Sequence, residues 1–207
     1  MIKFDKKLFI KLGIIGFSGS TIIYMITFFL QITTIIEILI YDILIIFFGI
    51  LITISLYLIS EKFGKNGIKI AAVCILDTMI LSVISELIYY INIPIDYSLE
   101  YYNILSFVYG LSAVNFLLYM VNGIGFGFSM ISLGRDYSKI LFQITAVLWL
   151  ADIIVSLFLQ VVPYLIIFRW IVYGVTCFCI WDMTKSGKKP KKKRKKKPKI
   201  KMGFGKN

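Results

Sequence analysis

Apolar runs broken by short polar turns make up most of the chain. The isoleucine, leucine and phenylalanine runs reach the ~18 residues that a membrane-crossing helix needs. Six spans are predicted, at about 12–32, 38–59, 70–91, 106–132, 140–162 and 164–181. The fold class is therefore all-α, a polytopic membrane bundle over residues 1–184, followed by a disordered polybasic tail over 185–207. The fourth apolar run is longer than one crossing requires. Either that helix is strongly tilted, or the glycines at 123, 125 and 127 break or bend it.

The polar turns set the threading. Residues 63–70 are echoed by residues 133–140, each a short basic turn begun by a glycine, Gly64 or Gly134. Basic turns between spans lie on the cytoplasmic side, and Lys62, Lys65, Lys69, Arg135, Lys139 and the N-terminal lysines all agree. Glu37, Asp96 and Glu100 fall in the opposite turns, and Asp42 falls there or one turn into the second span. The chain is thus expected in the cell membrane, multi-pass, with both termini cytoplasmic. The echo also suggests tandem helix–turn–helix units, although convergent turn chemistry accounts for it better, because the match fades within the helices.

Composition sharpens this picture. The 207 residues are 59% hydrophobic with a mean hydropathy of +0.87. The net charge is +12, yet thirteen basic residues and no acid fall at or after Lys185, so everything before the tail is close to neutral. The run Lys191, Lys192, Lys193, Arg194, Lys195, Lys196 and Lys197 is suited to docking on anionic lipid headgroups at the cytoplasmic face. RNA, a ribosome or an acidic protein offers the same attraction. Histidine is absent, which removes imidazole chemistry and argues against a zinc or other metal site. Cys74, Cys177 and Cys179 read as buried apolar side chains.

Candidate chemistry lies in the few charges within spans, each costing ~3 kcal/mol to insert. Asp77, Glu86, Asp152 and Arg169 stand out. Glu86 and Arg169 sit at one depth, roughly 8 Å below the outer surface at 1.5 Å per residue, and are expected to pair. Asp152 lies nearest the midplane. Thr145, Trp149, Asp152, Ser156 and Gln160 share one face of the fifth span. Ser112, Asn115, Tyr119, Asn122 and Ser129 share one face of the fourth, and Thr78, Ser82 and Glu86 one face of the third. Together they predict a polar seam centred on Asp152, with Asp77, Asn115, Asn122, Ser156 and Gln160 as ion or proton candidates. Interhelical hydrogen bonding is the alternative role for the same residues, with Asp152 then protonated or paired to Arg169.

Other motifs carry less. Gly16, Phe17, Ser18 and Gly19 match the GxSG of rhomboid proteases, but those enzymes need a histidine. Gly123 and Gly127, at GxxxG spacing, suit close helix packing. No nucleophile pairs with a base and no cofactor motif stands out, so the chain is not expected to be an enzyme. In size, six spans and cytoplasmic ends it resembles the substrate-binding subunits of energy-coupling-factor vitamin transporters, a likeness of architecture without a motif. That likeness implies a small-residue packing face on the first span, where Gly13, Gly16 and Ser20 stand. The basic tail resembles that of membrane insertases that dock ribosomes, with Arg169 in place of their groove's basic residue.

The leading expectation is small-solute or cation transport, or membrane-embedded solute binding, through the seam around Asp152. The alternative is a scaffold or tether acting through its basic tail. Either allows a homo- or hetero-oligomer.

Overall fold

The computed structural model describes residues 8–30, 35–92, 99–158 and 166–183, and every described element is a helix. These are α1 (Leu8–Leu30), α2 (Ile35–Phe63), α3 (Asn66–Asn92), α4 (Leu99–Tyr137), α5 (Ile140–Phe158) and α6 (Ile166–Met183). The first five are long and apolar enough to cross a membrane.

Each helix packs its backbone against the two that flank it, and α6 returns to α1, so the bundle is a closed six-membered ring. The outward surface is apolar around the ring. Ile36, Ile43, Phe128, Val147, Ile154 and Phe178 are each more than half exposed. Helices that are apolar on both faces are at home in lipid.

The two ends of the ring differ. At the end carrying the α2–α3 and α4–α5 turns, large side chains fill the centre, with Phe9, Ile59, Ile68, Leu133, Phe142 and Met183 in one core. An aromatic layer closes that core from above. Trp149 stacks on Tyr173 at 6.0 Å, meets Phe126 at 4.9 Å and takes the edge of Phe17 at 6.5 Å. Above this layer the packing opens.

Small residues set the close approaches. A Cβ on Gly16 would lie 2.7 Å from Ile52 Cγ1 and 2.9 Å from the Ile52 backbone nitrogen. The small-residue face of α1 is therefore spent on α2, inside the bundle. Gly123 and Gly127 do the same for α4 against Ile153 and Leu150 of α5. They do not break the helix, because α4 runs unbroken for 39 residues. At 1.5 Å per residue that is about 58 Å, well beyond the ~30 Å hydrocarbon core.

The echoed turns are not structural equivalents. Gly64 takes the left-handed conformation (φ 64°) directly after α2, whereas Gly134 is still helical and the left-handed residue of the second turn is Ser138 (φ 55°). The alignment on glycine is thus off by four residues, because α4 continues one turn past Gly134. Gly134 is small for another reason. A Cβ there would lie 2.7 Å from Gln143 and 3.1 Å from the carbonyl of Lys139, where the chain doubles back. Two basic residues of this end are tied down locally, Lys65 bonded to Asp136 at 2.8 Å and Lys139 to Asp182.

Candidate functional site

The polar stripes of α3, α4 and α5 turn inward above the aromatic layer and meet around a chamber of about 350 Å³ to which all six helices contribute. α4 supplies Ser112, Asn115, Tyr119 and Asn122, two pairs at seven-residue spacing (112 with 119, 115 with 122), so one face repeats every two turns. α3 supplies Thr78, Ser82 and Glu86 at four-residue spacing. Ser156 comes from α5, Arg169 and Tyr173 from α6, Asp42 from α2 and Tyr24 from α1.

Asp152 is fully buried in the wall rather than at the centre. The Tyr119 hydroxyl donates to its Oδ2, and Arg169 Nε stands 3.5 Å from the same oxygen. Arg169 Nη2 donates to Ser156 Oγ at 2.7 Å, and Ser156 Oγ donates to the Asp152 carbonyl at 2.6 Å. The guanidinium also lies over the Tyr119 ring, 4.9 Å from its centroid, so three helices hold one cation in place. Asp152 Oδ1 has no hydrogen-bond partner among the described residues.

This arrangement corrects the expected Glu86–Arg169 pair. Among the described residues Arg169 pairs with Asp152. The ring sets α3 and α6 on opposite sides, with the chamber between them, whereas α5 lies directly beside α6. Proximity of helices, not depth, selects the partner.

Glu86 instead faces the carboxyl of Asp42. The sequence places Asp42 at an outer turn or one turn into the second span. It lies two turns inside α2, which begins at Ile35, and only 5% of it is exposed. Its Oδ2 has no hydrogen-bond partner among the described residues, and neither has Oδ1 of Asn122. Asp42 was legible as a charge within an apolar run, but α2 starts earlier than that run suggests. Tyr24 and Tyr173 gave no comparable signal, since aromatic residues are common throughout the chain.

Asp77 stays out of the chamber. Nine residues from Glu86, or 2.5 helical turns, it occupies the opposite face of α3 among the exposed Val73, Ile80 and Ile84. Asn115, Asn122 and Ser156 are brought together as expected. Gln160 and the basic run from Lys191 to Lys197 lie outside the described residues. Among the described residues no three carboxylate or thiol groups converge tightly enough to hold a metal ion.

No family model, curated protein or solved structure matches the chain.

Proposed function

We propose that this is a multi-pass protein of the cell membrane, with cytoplasmic termini, that binds or transports a small solute through the chamber. The observation that carries the reading is a polar chamber walled by all six helices inside a ring whose outer surface is apolar. At about 350 Å³ it falls at the lower end of small-molecule pockets, ~300–1,000 Å³. The Arg169–Asp152 pair fixes one wall electrostatically, which suits orienting a ligand. Binding rather than catalysis is favoured by Ser156. Its hydroxyl is engaged with the Asp152 carbonyl and Arg169, so it has no base to activate it. With the basic turns cytoplasmic, the chamber faces the outer half of the membrane.

A second reading rests on the tail, whose thirteen bases without an acid suit tethering to anionic lipid, RNA or a ribosome. In that case the chamber residues serve as hydrogen-bonding glue between helices.

Cysteine accessibility separates the two. Cys74, Cys177 and Cys179 are first replaced, then Ser82→Cys, Ser112→Cys and, as a lipid-facing control, Ile80→Cys are introduced singly. The protein is reconstituted in liposomes and treated with a water-soluble thiol reagent. A solute chamber leaves the cysteines at 82 and 112 reactive and the one at 80 protected. Chamber cysteines as inert as the control would mean a dry seam and would sink the transport reading.

A further inference from the structure

We infer that the chamber receives a small protonated amine, recognised by Asp42 and Glu86; this rests on the reading of the chamber as a solute site. The chamber and its wall hold three carboxyls, Asp42, Glu86 and Asp152, against a single guanidinium, Arg169. Arg169 takes Asp152, so the other two carboxyls face each other with no cation beside them among the described residues. A buried carboxylate without a counter-charge is costly, and an incoming cation removes that cost.

The orphaned groups point the same way. Asp42 Oδ2 and Asn122 Oδ1, on residues 5% and 2% exposed, both line the chamber as acceptors without a donor. An ammonium group is the complement, with three N–H donors and no acceptor. Glu86, unlike Asp42, is exposed, so the pair runs from the chamber mouth inward. Tyr24 and Tyr173 add aromatic side chains to the lining, a residue type whose rings attract cations. A bare inorganic ion would leave most of the space unused. Ile45, Ile75, Met79 and Phe116 instead give an apolar body something to pack against.

The test uses the reconstituted full chain with the cysteine at position 82 and two thiol reagents of similar size, one ending in trimethylammonium and one in sulfonate. Rates are normalised to those with free mercaptoethanol. The cationic reagent should react at least about tenfold faster, the scale on which a charged cleft concentrates one sign of ion. n-Butylammonium should slow labelling, whereas butyrate and magnesium should not. Asp42→Asn with Glu86→Gln should abolish both effects. Glu86→Gln alone, at the exposed mouth, should reduce them severalfold and keeps the test informative if the buried substitution impairs folding.

If neither reagent reacts, the solute chamber itself fails. If both react at equal rates, or if butyrate or magnesium protects as well as butylammonium, the chamber stands and the amine is wrong. Butylammonium protection that survives both substitutions would remove Asp42 and Glu86 from recognition.

Discussion

Arg169 Nε lies 3.5 Å from Asp152 Oδ2, joining α6 to α5 along one wall of the chamber. The pair spans neighbouring helices, with its carboxylate wholly enclosed and its guanidinium side chain 20% exposed.

Breaking that pair strands a buried charge, which costs about 3–5 kcal/mol in comparable cases. Asp152→Asn should lower the unfolding free energy in mixed micelles by an amount of that order. Combined with Arg169→Gln, the loss should fall short of the sum by more than ~1 kcal/mol, as for residues in contact. Strict additivity would show that the two do not interact. Glu86→Gln, on the far side of the chamber and exposed, should change stability by less than about 1 kcal/mol.

Two glycine substitutions should have opposite signs. Gly16→Ala drives a methyl into Ile52 and its backbone and should destabilise by about 1–3 kcal/mol, as overpacking does. Gly110→Ala meets nothing within 4 Å on an exposed part of α4 and should be neutral or stabilising by up to ~1 kcal/mol. Thermal inactivation of the two purified variants against the parent decides the matter.

The turns give a matching pair. Ser138 holds a left-handed conformation that costs a non-glycine residue about 1–2 kcal/mol, so Ser138→Gly should stabilise by roughly 1 kcal/mol. Gly64→Ala should destabilise by a similar amount. If Gly134 rather than Ser138 were the second turn's left-handed residue, Ser138→Gly in the helix end would instead destabilise. Denaturant midpoints distinguish these outcomes.

Orientation is open to direct measurement. In a background without the native cysteines, Arg135→Cys at the basic end and Asn103→Cys near the start of α4 are both exposed. An impermeant maleimide should label the cysteine at 103 in intact cells and the one at 135 in inverted vesicles. The reverse pattern would invert the protein and turn the chamber toward the cytoplasm.

The helical class, and the shared face of the α4 polar residues, are readable from the chain alone. An α-helix repeats every 3.6 residues, so Ser112, Asn115, Tyr119 and Asn122 must share a face wherever that helix lies. What no linear pattern contains is the order of helices around the ring and the azimuth at which each presents its stripe. Those depend on side-chain fit between segments distant in sequence, such as Gly16 against Ile52 or Gly123 against Ile153. Only the tertiary structure therefore decided that Arg169 meets Asp152, that Asp42 belongs to the chamber and that Asp77 does not. The turns divide along the same line. Their basic character was plain in the sequence, but where α4 stops is set by how the chain folds back over Gly134, a contact between residues on two helices.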